Sequence, residues 1–219
     1  MEKYFPAEKI VLTGNPVREE IRNSRVTRDE AYAFFGIPEG HEVILALGGS
    51  LGAGSVNSAL LENAEMLRDK KVFLLWQTGK REYQHIAKEM QGKKLDNVQV
   101  TAFIERMEMA YAAAEVIISR AGAGTISELA VVGKSVILVP SPNVAEDHQT
   151  KNALALTEKE AALMVKDRET SRYLPHLALE LLEDRERREK LSANLKKLAR
   201  PEAARDIVNE IIKATEGKG

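Results

Sequence analysis

The sequence predicts a doubly wound α/β domain, a parallel sheet with helices on both faces and a helical tail. Short apolar runs alternate with amphipathic stretches along most of the chain. The runs are continuous rather than alternating, as expected for strands covered on both sides. The glycine-rich turns fall directly after such runs, where sheets of this kind bind ligands. This alternation implies right-handed crossovers between parallel strands.

Strands are expected at Lys9–Thr13, Glu42–Leu47, Val72–Gln77, Val98–Thr101, Val116–Ser119, Val136–Val139 and Ala162–Val165. Helices are expected near Ala53–Arg68, Arg81–Met90, Met107–Ala114, Thr125–Val132 and His148–Thr157. Thr27-Arg28-Asp29-Glu30 has capping-box spacing and starts a helix through Phe35, closed by Gly36 and Pro38. The uncharged stretch Val43–Leu61 is long enough to raise a membrane span. Its glycines, serines and asparagine suit a strand, a tight turn and a helix better. Residues 170–216 are highly charged and helical in period, with Pro175 near the start and Pro201 splitting the last two helices. The expected organisation is a ligand-binding layer over residues 1–165 and completing helices over 166–219.

The chain has 219 residues, 44% hydrophobic and 30% charged, enough for a core and a solvated surface. With 32 Lys+Arg against 33 Asp+Glu, it lacks the charge excess on which non-specific nucleic-acid binding rests. Zero cysteines exclude a disulfide framework, a thiolate zinc site and a cysteine nucleophile. The charged start Met-Glu-Lys-Tyr-Phe-Pro has no signal-peptide core, so a soluble protein is expected. His41, His85, His148 and His176 lack ligand spacing and no Asp-x-Asp triplet occurs, so no metal site is expected.

Four loops carry residues suited to binding. Gly48-Gly49-Ser50-Leu51-Gly52-Ala53-Gly54-Ser55 lets backbone amides approach a phosphate at a helix N-terminus. It is neither a P-loop, since Ser55-Val56 follows Gly54, nor a dinucleotide fingerprint, since Asn57 stands at the third glycine. A tight turn without a ligand reads equally well. Ser119-Arg120-Ala121-Gly122-Ala123-Gly124-Thr125-Ile126-Ser127-Glu128 opens a second helix after a strand. Thr125 and Glu128 have capping-box spacing, which on its own favours a cap over the other reading of Glu128, a carboxylate holding vicinal ribose hydroxyls. In Thr13-Gly14-Asn15-Pro16-Val17-Arg18, Asn15 reads as N-cap and Pro16 as the first helical residue. Arg18 in that first turn opposes the helix dipole unless a phosphate or a nearby carboxylate offsets it. Pro140–Asn152 is a defined loop entering a helix, where His148, Gln149 and Asn152 offer partners to sugar hydroxyls.

Together these segments resemble the MurG family of bacterial N-acetylglucosaminyltransferases, which complete the lipid-linked peptidoglycan disaccharide. The match rests on Thr13–Arg18, Gly48–Ala53, Arg120–Thr125 with Glu128, and His148-Gln149 with Asn152-Ala153, in order from about Tyr4 onward. The family is built as two Rossmann-like domains facing across a cleft, the GT-B architecture. The resemblance covers its donor-binding C-terminal half, and the chain begins just before that half's first strand. Leu51 stands where many members carry Gln.

The resemblance implies that Arg18 and Ser50 contact the diphosphate of UDP-N-acetylglucosamine, helped by amides near Gly124 and Thr125. It implies that Ile104 presents backbone groups to uracil and that Glu128 holds the ribose. Gln149, with His148, would read the glucosamine hydroxyls, and Asn152 would support that helix. The implied reaction is an inverting, metal-independent displacement with no cofactor. The acceptor is a lipid-linked muramyl-pentapeptide, and both the base and the acceptor surface lie in the other half, so no catalytic residue is assigned here. The implied location is the cytoplasmic face of the bacterial plasma membrane. Two other readings are the donor subunit of a split, two-subunit N-acetylglucosaminyltransferase and a non-enzymatic UDP-sugar sensor. An ordinary nicotinamide-binding domain is disfavoured by the incomplete fingerprint.

Overall fold

The computed structural model describes residues 5–49 and 51–216. Its sheet consists of β1 (Glu42–Leu47), β2 (Val72–Gln77), β3 (Val98–Thr101), β4 (Val116–Ser119), β5 (Ser135–Leu138) and β6 (Leu163–Met164). All neighbours pair in parallel, in the order β3-β2-β1-β4-β5-β6. The chain winds outward from β1 in one direction and from β4 in the other. Strand order therefore reverses between this central pair, where Leu47 lies opposite Ser119.

The continuous apolar runs are explained by two cores. Val43, Leu45 and Leu47 of β1 enter one, and Ile44 and Ala46 the other. The first lies under α1 (Glu19–Arg22), α2 (Arg28–Phe35), α5 (Met107–Ala113), α6 (Ala123–Val132) and α7 (His148–Thr157). The second lies under α3 (Gly54–Glu62), α4 (Tyr83–Lys93) and α8 (Thr170–Glu183). Helix α9 (Arg185–Lys196) sends Leu191 into the second core and Leu195 into the first. Helix α10 (Ala203–Glu216) leaves Val208, Ile211 and Ile212 exposed. Among the described residues, no helix is long and apolar enough to cross a membrane.

Helix α2 has both arms of its capping box, Thr27 to the Glu30 amide and Glu30 back to the Thr27 amide, and ends on left-handed Gly36. Other expectations need correction. Residues 10–13 form no strand: after a short turn at Ala7–Lys9, Val11 and Leu12 are exposed, so that run has neither a pairing strand nor a buried face. The single helix expected over Ala53–Arg68 breaks at Asn63, whose side-chain amide donates to the Ala59 carbonyl at 2.8 Å before a 3-10 turn at Ala64–Leu67. Pro175 lies inside α8 and lacks the amide that would bond the Ser171 carbonyl one turn earlier; Asn63 Nδ2 stands 3.5 Å from that oxygen.

Asn57, the residue that spoils the dinucleotide fingerprint, is buried and ties the start of α3 to β2 and the loop after it. Its Oδ1 accepts from Trp76 Nε1 at 3.0 Å, while its Nδ2 donates to the Thr78 carbonyl at 2.9 Å and to Glu82. These bonds hold the loop after β2 against the start of α3. Gly79, at φ +82°, has no room for a Cβ, which would lie 2.3 Å from the Gly52 amide nitrogen. Replacing Asn57 with Leu keeps the volume but strands the indole N–H and the Thr78 carbonyl. Urea unfolding of Asn57→Leu is expected to show a loss of about 2–4 kcal/mol at unchanged slope.

Candidate functional site at the strand-order switch

In an open parallel sheet the crevice forms beyond the carboxyl ends of the strands where their order reverses. Here that point lies between the loop leaving β1 and the loop leaving β4. Gly48 follows β1 so closely that a Cβ would meet the Gln77 carbonyl at 2.8 Å. Each loop delivers a helix N-terminus, α3 after Ala53 and α6 after Gly122, and neither cap residue contributes a side-chain bond. The first amides of both helices thus lack intrahelical partners and carry the positive end of the helix dipole. Two uncapped helix starts at one crevice make a setting for an anion.

Beside α6 stands an ion pair that sequence reasoning treated as two separate candidates. Arg18 Nε donates to Glu128 Oε1 at 2.9 Å, and a second guanidinium nitrogen donates to Oε2 at 3.1 Å. The Tyr111 hydroxyl lies 3.5 Å from Oε2. Burial first, and then the Glu128 charge, push the Tyr111 phenol well above its usual range, so it stays protonated. The Glu128 hydrogen bond raises the Arg18 guanidinium above its ordinary value.

Two local readings are overturned here. Helix α6 starts at Ala123 with Gly122 as its cap, so Thr125 and Glu128 sit inside the helix and form no capping box. Asn15 and Pro16 do not start a helix either. Helix α1 begins at Glu19 with Arg18 at its cap position, and the Asn15 amide instead crosses to α6, donating to Ser127 Oγ at 3.1 Å and to the Ala123 carbonyl at 3.4 Å. That tether brings Arg18 to Glu128.

The remaining candidates divide by what already holds them. Gly124 is exposed and Thr125 half-buried at the start of α6. Gln149 Oε1 accepts from the amides of Ala121 at 3.2 Å and Ser141 at 2.9 Å, and Asn152 Nδ2 donates to the Ala121 carbonyl at 3.1 Å. Both therefore clamp the loop after β4 to the start of α7. His148 Nδ1 lies 2.8 Å from the Ala145 carbonyl, in a turn where Glu146 and Asp147 both adopt positive φ. The Ile104 amide donates to Gln77 Oε1 at 2.9 Å. Ser50 lies outside the described residues.

The roles of Arg120, Ser55 and Asp167 are not legible from spacing. Arg120 donates to the Val139 carbonyl at 3.2 Å, the Pro140 carbonyl at 3.4 Å, Ser55 Oγ at 3.2 Å, and Asp167. Ser55 Oγ in turn donates to Asp167 at 2.5 Å. This cluster fixes the start of α3, the loop after β4 and the end of β5 to one another. An arginine in an otherwise Ala/Gly loop was the available signal. Tyr111, buried in α5, gave none.

Residues 43–210 match the model of the glycosyltransferase family 28 C-terminal domain. The chain is 46% identical over 218 residues to a Parabacteroides distasonis protein named UDP-N-acetylglucosamine–N-acetylmuramyl-(pentapeptide) pyrophosphoryl-undecaprenol N-acetylglucosamine transferase, covering 100% of this chain and 59% of the relative. A Cytophaga hutchinsonii protein of the same name is 48% identical over 211 residues, covering 96% of this chain and 56% of the relative. The chain thus spans less than two thirds of the length of the curated relatives it matches. The crystal structure of Acinetobacter baumannii MurG superposes with a TM-score of 0.76 at 29% identity, covering 95% of this chain and 57% of that one.

The two arginines should separate in their effect on folding. Arg120→Met leaves two carbonyls and a half-buried carboxylate short of donors and should cost about 1–3 kcal/mol in urea unfolding. Arg18→Met breaks a pair whose arginine is 50% exposed, and its cost should stay within about 1 kcal/mol.

Proposed function

We propose that this chain, which belongs to the glycosyltransferase family 28 C-terminal domain family, binds UDP-N-acetylglucosamine in the β1/β4 crevice as the donor half of an N-acetylglucosaminyltransferase. The observation that carries this reading is the pair of uncapped helix N-termini at the strand-order switch, with Arg18 and Glu128 beside α6. The names of the relatives support the choice of donor and of a lipid-linked muramyl-pentapeptide acceptor.

In this reading the donor diphosphate lies at the helix starts, near Gly124 and Thr125, and takes Arg18 as its cation. Those partial charges and one guanidinium neutralise it without a metal or other cofactor. Glu128 holds the ribose hydroxyls. The Ile104 amide is committed to Gln77, so its carbonyl is the group offered to uracil. Gln149 uses its oxygen for the two loops and offers its amide nitrogen to the sugar, with His148 alongside and Asn152 as brace. Ser50 stands with the diphosphate ligands.

The displacement at the anomeric carbon needs stabilisation of the departing UDP and a base at the attacking hydroxyl. The crevice supplies the first. The base and the acceptor surface belong to a second half, against which the exposed Val208, Ile211 and Ile212 face of α10 packs. The whole enzyme then works at the cytoplasmic face of the plasma membrane, where a lipid-linked acceptor is within reach, and binds no nucleic acid.

Calorimetric titration of this chain with UDP-N-acetylglucosamine should give the same affinity with magnesium and with chelator. Glu128→Ala should weaken binding by about 1–3 kcal/mol, the cost of losing charged hydrogen bonds. Absence of binding to the folded chain, or dependence on magnesium, counts against the reading. With a lipid-linked acceptor added, the chain alone should yield no disaccharide product, and product formation would refute the division of labour between halves.

A further inference from the structure

We infer that the Arg18–Glu128 ion pair couples recognition of the diphosphate to recognition of the ribose, so that the site discriminates against ligands lacking phosphate. The inference rests on the donor-site reading above and concerns how that site selects among nucleosides and nucleotides.

The geometry carries it. The guanidinium meets the carboxylate end-on, one nitrogen on each oxygen, at 2.9 and 3.1 Å. A vicinal diol chelated by a carboxylate uses the same end-on face, placing one hydroxyl on each oxygen. The two partners compete for one face of Glu128, and Tyr111 stands at Oε2 beside it. The Glu128 side chain is 17% exposed and held within α6, whereas that of Arg18 is 50% exposed at the cap of the four-residue helix α1. Arg18 is therefore the mobile partner. Helix α1 follows an extended segment tethered to α6 by Asn15, so its guanidinium can swing without disturbing either core.

A diphosphate at the start of α6 offers Arg18 a more highly charged oxyanion about one helical turn from Glu128. Moving onto it exchanges one charge-assisted fork for another and uncovers both carboxylate oxygens for the ribose. A ligand with ribose but no phosphate must instead break the pair with no replacement partner for the guanidinium. Its affinity is lowered by the cost of that break, which is the population penalty for a site closed by its own side chain. The pair thus keeps the carboxylate neutralised in the empty site and makes its release conditional on an anion.

The test compares uridine and UDP on the 219-residue chain and its Arg18→Ala and Arg18→Gln variants, by amide-proton NMR titration, with thermal unfolding as the check on folding. UDP should bind the wild-type chain and weaken about tenfold in both variants, which lose the phosphate cation. Uridine should move the opposite way, binding the variants about fivefold more tightly than wild type, the scale set by breaking a half-exposed ion pair. If UDP binds wild type but uridine binds the variants no better, the coupling is wrong and the nucleotide site stands. If neither UDP nor UDP-N-acetylglucosamine binds the folded wild-type chain, the donor-site reading fails and takes the coupling with it.

Discussion

The pairing of β1 with β4 organises everything above the sheet. These strands are far apart in sequence, yet Ile44 to Leu47 lie in parallel register with Val116 to Ser119. Because β2 and β3 extend the sheet on one side and β5 and β6 on the other, the loops leaving β1 and β4 must diverge to opposite faces. Helix α3 then covers one core and α6 the other. Both helices therefore begin beyond the carboxyl ends of the central strands, on opposite sides of the point where strand order reverses. The crevice is thus a consequence of strand order and needs no specialised residue to create it.

What the side chains add is rigidity around that point. Asn57 joins the start of α3 to β2 and the loop after it, Arg120 joins the start of α3 to the end of β5, and Gln149 with Asn152 joins the loop after β4 to α7. Each makes a long-range polar contact to backbone, two of them with side-chain partners as well, and so fixes a loop's path. The groups left facing the crevice are those no clamp uses: the first amides of α3 and α6, the exposed Gly124, and the half-exposed Arg18. Loop geometry is thus set in advance, which lowers the ordering cost of any association at this end of the sheet.

The central strands were legible in the sequence for a physical reason. Glu42–Leu47, Val72–Gln77 and Val116–Ser119 occur at the residues expected because both faces of such strands are covered and their apolar runs are unbroken. The edge strand Val98–Thr101 was also placed correctly, though it is only partly buried and Gln99 is exposed. The capping box at Thr27 was legible because both of its bonds are local. Failures came where a distant partner overrode a local rule. Asn15 has the chemistry of a cap but bonds to Ser127, and Glu128 has cap spacing but bonds to Arg18. Lys9–Thr13 has the composition of a strand, yet Val11 and Leu12 find no layer to cover them. That the glycine-rich loops follow strands could be read from the alternation of runs, whereas the Arg18–Glu128 pair could not, since its members are separated by 110 positions.

The two ends of the sheet differ in how they hold their charged and polar groups. At the amino ends of the strands lies a cavity of about 630 Å³ lined by Arg28, Glu42, Glu115, Lys134, Arg188 and Lys196. There Glu115 accepts the Val43 amide at 2.5 Å and faces Arg28 at 3.2 Å, while Arg188 meets Glu42 at 2.9 Å. Burial pushes the Glu115 carboxyl up and the Lys134 ammonium down, the direction expected for groups held out of water by the chain's own packing. These charges lock the strand starts together through opposing partners from this chain. At the carboxyl ends the cap residues of α3 and α6 contribute no side-chain bond, and Glu128 is held by the half-exposed Arg18. Two helix starts that open at the same end without a capping side chain both favour an anion placed between them.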